Sequence, residues 1–355
     1  MRGKAVNQAA WMVPRRVSLI NSYRMREARR LVIDGTYPAQ HLWGTWNLSG
    51  KWSTAVTNVC MNRIGEKYQW ARGIVKHIER ILGDPFQTIW AVVGSNRGSI
   101  IYAANPKTGT LIGALKRLRL TRVPYIVLVH SHPLSSWAAW CLRSADAVLV
   151  FSQQIKDKLI KDGYPASRVT VTQWGPDLDW QGYKQPSTSN TAHFVSAGKT
   201  NRDYSSLRSL ASQGLLNGHI LDGEKAIEYR DGASHAVVGR PSYPEVMTLM
   251  ASADVVCIPL EDAGMLSGLT EVSDAIALGK PLVMSRNSWM PIDIEELGIG
   301  VWLTDRSPAT LQSAIEQAAL IPRSSVLAVA EWFNMRTFSS VLEDVLDDVW
   351  MRVHD

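Results

Sequence analysis

The chain has 355 residues, a formal net charge of +6, 46% apolar residues and 20% charged residues. This is an ordinary globular composition, long enough for two domains, and it contains no apolar run of membrane-spanning length. Cys60, Cys141 and Cys257 are odd in number and scattered. They argue against a disulfide framework or a metal site and suit a reducing, cytoplasmic setting.

The charge is unevenly placed. Arg2, Lys4, Arg15, Arg16, Arg24, Arg26, Arg29 and Arg30 precede the first predicted strand, opposed by Glu27. Lys116, Arg117, Arg119 and Arg122 form a second cluster beside Leu111, Ile112, Leu115 and Leu118. Basic faces next to apolar ones suit an anionic membrane surface or a polyanionic substrate, and equally a solvated helix. An Arg-rich, acid-poor start is also the composition of a transit peptide, whereas no secretory apolar core follows Met1.

In chain order, residues 1–30 show no core element, and Arg30–Asp34 reads as the first strand. The glycine-containing loop Gly35–Gly44 follows, where α/β domains commonly line a cleft. Thr54–Val59 reads as a strand, Asn62–Leu82 as a helix stopped at Gly83, Thr88–Val93 as a third strand and Thr108–Leu120 as a helix. Tyr125–Val129 is a continuous apolar strand ending in His130 and His132. Open α/β sheets place ligands at such strand ends, and without a third or fourth ligand nearby the pair does not read as a metal site. Ala145–Phe151 is a buried strand, followed by Ser152, an amphipathic helix to Gly163, and a strand over Arg168–Thr172. Residues 181–192 lack periodicity and read as an interdomain linker.

Patterning restarts at His193–Ala197 and runs into Gly198, Lys199 and Arg202 before a helix over Ser205–Ala211. Gly198 permits the turn, and the two cations at a helix start suit a diphosphate and the charge that grows on it as it leaves. Ala236–Val238 reads as a strand and Gly239-Arg240-Pro241 as a turn. Ser242, Pro244 and Glu245 then form a capping-box pattern. The strand Ala253–Leu260 leads through Glu261 and Asp262 to Gly268, Leu269 and Thr270, which open a helix to Leu278. Gly279 stops that helix, and Pro281–Ser285 is the next strand. Glycine turn, helix start and acids on the first turns make an anion and ribose site. Ala309–Leu320 and an amphipathic tail over Val326–Val353 close the chain.

Gly268-Leu269-Thr270 and Asp274-Ala275-Ile276-Ala277-Leu278-Gly279-Lys280-Pro281 resemble the donor-binding segment of family-4 retaining glycosyltransferases of the GT-B fold. The resemblance spans roughly residues 120–350 and is strongest over Gly198–Pro281. It implies an α/β protein of two Rossmann-like domains facing each other across a cleft: an acceptor domain over 1–180 and a nucleotide-sugar domain over 193–325. Helices over 326–355 are then expected to pack back on the first domain. It implies a hexosyltransferase with a nucleotide-sugar donor, UDP- or GDP-linked, and a glycan, lipid-linked or small-molecule acceptor. Retention, no cofactor or metal, and no nucleic-acid partner are further expectations, as is a cytoplasmic location with peripheral contact to a membrane.

On the same basis, Lys199 and Arg202 stabilise the departing diphosphate, and Arg240 lies near the base. His130 or His132 faces the donor sugar, and Asp274 or Glu271 holds the ribose. The family carries a further acid eight positions before Asp274, where this chain has Leu266. Either Glu261 or Asp262 reaches the sugar through a longer loop, or the sugar-side acid is lost. The loss points to a non-catalytic, sugar-nucleotide-binding subunit. A GT-B hexosamine 2-epimerase needs a denser set of acids and histidines in the first domain than is found. The fourteen tryptophans suit sugar stacking, although most belong in a core.

Overall fold

The computed structural model describes residues 15–96, 98–130, 134–184, 192–223, 225–237 and 241–354. The first half is built on a six-stranded, fully parallel sheet in the order β2-β1-β3-β4-β5-β6. Its elements in chain order are β1 (Arg15–Ile20), α1 (Met25–Ile33), β2 (Trp52–Val56), α2 (Asn62–Lys67), α3 (Arg72–Leu82) and α4 (Pro85–Val93). Then come β3 (Ser99–Ala103), α5 (Gly109–Arg117), β4 (Tyr125–Val129), α6 (Ser136–Leu142), β5 (Ala147–Val150), α7 (Gln153–Lys161) and β6 (Val169–Val171). β3, β4 and β5 are buried at every position, as central strands covered on both faces must be.

Several expectations change here. The first strand is β1, inside the basic stretch, and Arg30–Asp34 belongs to the end of α1. Helix α1 buries Met25 and leaves its arginines outward, a polar helix face that local propensity reads poorly. The predicted helix Asn62–Leu82 is broken at Tyr68, whose backbone is extended. Thr88–Val93 is helix, not strand: the Asp84 carboxylate caps the Gln87 N–H and Pro85 occupies the first turn, so start signals outweigh the β-branched run. β3, the true third strand, was not read from the sequence.

The second half carries a seven-stranded sheet, β10-β9-β8-β7-β11-β12-β13. Its elements are β7 (Ala192–Gly198), α8 (Ser205–Ser212), β8 (Gly218–Asp222), β9 (Lys225–Arg230), β10 (Ala233–Val237), α9 (Tyr243–Ser252) and β11 (Ala253–Ile258). α10 (Leu269–Leu278), β12 (Leu282–Ser285), β13 (Gly300–Leu303), α11 (Pro308–Ala318), α12 (Arg323–Ala330) and α13 (Met335–His354) complete it. Five strands are parallel, and β8, β9 and β10 form an antiparallel meander at one edge.

Two features join the halves. In α13 Asp347 pairs with Arg15 and accepts from the Trp52 indole N–H at 3.0 Å, while Glu343 accepts from the Ser49 backbone N–H at 2.9 Å. The stretch read as a linker is not all linker. Gln181–Tyr183 forms a short 3-10 turn, and Trp180 and Tyr183 are buried. Among the described residues no helix is long and apolar enough to cross a membrane.

Candidate active site

A cleft of about 680 Å³ opens where the two sheets face each other at the C-terminal ends of their strands. The first half contributes Leu31 from α1 and Thr36 and Tyr37 from the loop that follows. The second half contributes Gly198, Lys199 and Lys225 on one side, and Thr270, Glu271 and Asp274 from α10 on another. Val246, Met247 and Met250 of α9 add an apolar wall. The start of α9 is fixed by the expected capping box, in which Glu245 accepts from the Ser242 N–H at 2.6 Å.

Backbone geometry explains the glycines. Gly268, at φ +86°, is the N-cap of α10, and Thr270 is the second residue of the helix. A side-chain carbon on Gly268 would meet Ile258 Cγ2 at 2.8 Å. Gly198, at φ +140°, ends β7 where an added carbon would meet Arg202 Nε at 2.5 Å. Both turns therefore need a residue without a Cβ. The result is that the helix start of α10, with its positive dipole end, lines the same cleft as Lys199 and Lys225.

The two predicted cations separate. Lys199 is exposed, with no carboxylate partner among the described residues. Arg202 is enclosed: its side chain is 5% exposed and its Nη2 pairs with Glu271 Oε1 at 2.9 Å. Its remaining N–H groups donate to the carbonyls of Ala197, Thr200 and Asn201. It holds the Gly198 turn against α10 and orients Glu271, and is not free at the cleft mouth as expected. Lys225, the second cleft cation, escaped sequence reading because the β8–β10 meander was missed.

The two acids of α10 separate as well. Glu271 keeps 16% of its side chain exposed and faces the cleft. Asp274, one turn further in, is 3% exposed, and three donors converge on its Oδ1. Tyr183 Oη donates to it at 2.6 Å, Tyr243 Oη at 2.7 Å and Gln40 Nε2 at 3.1 Å. Burial pushes its pKa up to about 7, against the lowering effect of the tyrosine hydroxyls, with the Glu271 charge adding to the rise. Burial also holds Tyr183 and Tyr243 well above the usual phenol range, so both remain O–H donors.

This network is the junction between the halves. Gln40 accepts from the Asp177 N–H at 2.7 Å, Asp177 accepts from the Ala39 N–H at 2.9 Å, and Ser273 donates to the Trp174 carbonyl at 3.1 Å. His41 stacks on Tyr37 with ring centroids 4.2 Å apart, and burial lowers its pKa to about 3, keeping it neutral. None of Gln40, His41, Tyr183 and Tyr243 was singled out in the sequence. The only signal was the expected loop Gly35–Gly44, which does supply Thr36, Tyr37, Gln40 and His41.

Of the remaining candidates, those among the described residues do not line the cleft. His130 lies beneath Trp43, centroids 6.3 Å apart, with Nε2 3.4 Å from Asn105 Nδ2, and burial lowers its pKa to about 4. Glu261 and Asp262 are exposed in the loop after β11, and Asp262 Oδ1 accepts from the Gly264 N–H at 2.7 Å. Neither acid lines the cleft. Leu269 is buried beneath it. His132 and Arg240 lie outside the described residues. Among the described residues no group of three His, Cys, Asp or Glu side chains could hold a metal ion.

Comparison with known proteins agrees with this architecture. Residues 62–180 match the family described as Glycosyltransferase Family 4. The match falls in the first half, outside the Gly198–Pro281 stretch where the motif resemblance is strongest. No curated protein matches the chain by sequence. Among solved structures, Anabaena HepE in complex with UDP is 15% identical, covering 94% of this chain and 100% of its own, with a TM-score of 0.55. The lipopolysaccharide outer core galactosyltransferase WaaB is 12% identical over 94% of this chain and 99% of its own, with a TM-score of 0.52. The trehalose 6-phosphate synthase of Burkholderia multivorans is 11% identical over 96% and 98%, with a TM-score of 0.58. The chain has the two-domain GT-B fold.

Proposed function

We propose that this protein is a glycosyltransferase that moves a hexose from a nucleotide-sugar, bound in the interdomain cleft, to an acceptor hydroxyl. The observation that carries the reading is that the α10 helix start lines the same cleft as Lys225 and as Lys199, which has no carboxylate partner among the described residues. A nucleoside diphosphate leaving group gains negative charge as the glycosidic bond breaks. A helix dipole and two cations facing that charge stabilise it more in the transition state than in the ground state. Glu271, held by Arg202, accepts hydrogen bonds from the ribose hydroxyls, because it keeps 16% of its side chain exposed at the cleft while Asp274 is buried in the junction. The apolar α9 wall receives the base. Support comes from the family match and from HepE, solved with UDP and also with UDP-glucose. Retention of configuration and independence of a metal follow from the motif resemblance, and the three buried, free cysteines support a reducing, cytoplasmic setting.

One observation favours a second reading. Leu266 stands at the sugar-side acid position, and neither Glu261 nor Asp262 lines the cleft, as in a subunit that binds nucleotide without transferring sugar. Thermal shift against UDP, GDP and ADP, followed by incubation with the matching sugar conjugates, distinguishes the two. A ligand at a hundred times its dissociation constant stabilises by about 2.7 kcal/mol. Stabilisation by one nucleotide, lost in Lys199→Ala, together with diphosphate release from its sugar conjugate in the presence of acceptor, supports the transferase. Binding with no release under any acceptor supports the non-catalytic subunit. No binding by folded protein removes both.

A further inference from the structure

Helix α1 carries arginines away from the nucleotide cleft as well as Leu31 into it. A hollow of about 950 Å³ on its outer side is lined by Arg16, Arg24, Arg26, Arg29, Arg30 and Arg63, with Glu27 as the single acid. Arg24 pairs with Glu27 at 3.5 Å and with Glu66, Arg29 donates to the Thr54 carbonyl at 3.2 Å, and Arg16 donates to that of Gly94 at 3.2 Å. Among the described residues no carboxylate pairs with Arg26, Arg30 or Arg63, and Arg16 Nε is buried without an acceptor. Cations crowded into a concave surface repel one another, and a multiply charged anion relieves that repulsion. Guanidinium forks match phosphoryl oxygens two at a time, which lysines do not.

The hollow also connects to the cleft. A smaller one, of about 410 Å³, shares Leu31 and Tyr37 with the nucleotide cleft and shares Arg24 and Glu27 with the arginine hollow. The three follow α1, whose nine residues span about 13 Å.

We propose that the arginine hollow binds a phosphoryl group, and that the acceptor is a phosphate- or diphosphate-bearing molecule lying along α1. Its anion is held by the arginines while its hydroxyl reaches the cleft. The assignment of the acceptor rests on the glycosyltransferase reading; the phosphoryl site itself does not. The phosphate belongs either to a freely diffusing molecule or to a lipid headgroup. The exposed Ile89 and Val93 of α4, beside the lining residue Trp90, suit contact with a bilayer.

The test compares the full chain with a triple variant, Arg26→Gln, Arg30→Gln and Arg63→Gln, whose three side chains are exposed. Calorimetry with inorganic pyrophosphate is run at low and moderate salt, and co-sedimentation uses phosphatidylglycerol and phosphatidylcholine vesicles. Wild-type protein is expected to bind pyrophosphate or the anionic vesicles, more weakly as salt rises. The triple variant should lose at least tenfold in affinity yet keep the thermal response to nucleotide. The triple substitution is repeated in Lys199→Ala, which weakens the diphosphate site of the cleft, and the same loss of pyrophosphate affinity should appear there. Pyrophosphate binding assigns a free phosphate, and anionic-vesicle binding alone assigns a lipid phosphate. Wild type that binds neither probe, or a triple variant that binds as tightly as wild type, overturns the site. These readouts need no turnover, so their failure is separate from any failure of the transferase reading.

Discussion

Glu271 and Asp274 stand one turn apart on the same helix, yet they occupy two physically different regions. Glu271 is at the wet wall of the cleft, tethered by Arg202 but open to a ligand. Asp274 is in the dry junction between the halves, with both tyrosine hydroxyls and the Gln40 amide directed at it. By motif position Asp274 is the better candidate for ribose. Burial weighs against that assignment, because Asp274 is 3% exposed and three donors from the junction already converge on its Oδ1. A motif identifies the helix, and the surroundings decide which of its acids is available.

The largest test of this contrast is Asp274→Ala. Tyr183, Tyr243 and Gln40 then lose a shared acceptor, and each buried donor left unpaired costs about 1–3 kcal/mol. We expect a loss of roughly 3 kcal/mol or more in denaturant unfolding. A loss below about 1 kcal/mol would mean that the junction is not a fixed lock. Gly198→Ala should follow, costing about 1–3 kcal/mol through a strained backbone and the clash with Arg202. It should also weaken nucleotide binding, because that turn carries Lys199.

Glu271→Gln sharpens the other side. Losing the counter-charge of the enclosed Arg202 should lower stability, and nucleoside diphosphate affinity should fall about tenfold, or about 1.4 kcal/mol. The variant should also stop distinguishing ribo- from 2′-deoxyribonucleotides. Retained discrimination, measured by calorimetry, would falsify the ribose role.

Acid–base behaviour separates the regions further. Asp274 has a folded pKa of about 7, above its ordinary value, so the folded state holds its proton over a range where the unfolded chain has lost it. Its contribution to stability is full below about pH 4 and is lost as pH rises to about 7. His41 runs the other way: its folded pKa of about 3 lies below the ordinary value near 6.5, so its contribution is full above about pH 6.5 and falls with acidification. Unfolding curves of Asp274→Asn and His41→Asn should each lose one of these opposing slopes. Unchanged slopes in both would show that neither group is desolvated. The smallest effect belongs to Arg336→Ala, which removes an exposed ion pair with Asp179 at 2.7 Å. No measurable change in the unfolding midpoint is expected there, which sets the baseline against which the junction is judged.

The sequence by itself determined those elements whose signals are local. The α10 helix between Gly268 and Gly279, the Ser242 capping box, the buried strand Tyr125–Val129 and the restart of patterning near His193 depend on neighbours within a few residues. So do the glycine turns beside Lys199, and the structure retains all of these. Elements whose signals conflict were misread: α1 carries too many arginines to look buried, and α4 looks like a strand until Asp84 and Pro85 are counted as its start. Only the tertiary structure decided which of these side chains reach the cleft. It withdrew Arg202 into a pair with Glu271, turned Asp274 into the junction, brought Lys225 in from an edge meander, and left Glu261 and Asp262 outside the cleft. The physical reason is that availability to a ligand depends on desolvation and on donors contributed from distant parts of the chain. Gln40 and Tyr183 lie 234 and 91 positions from Asp274. No local pattern encodes that they meet.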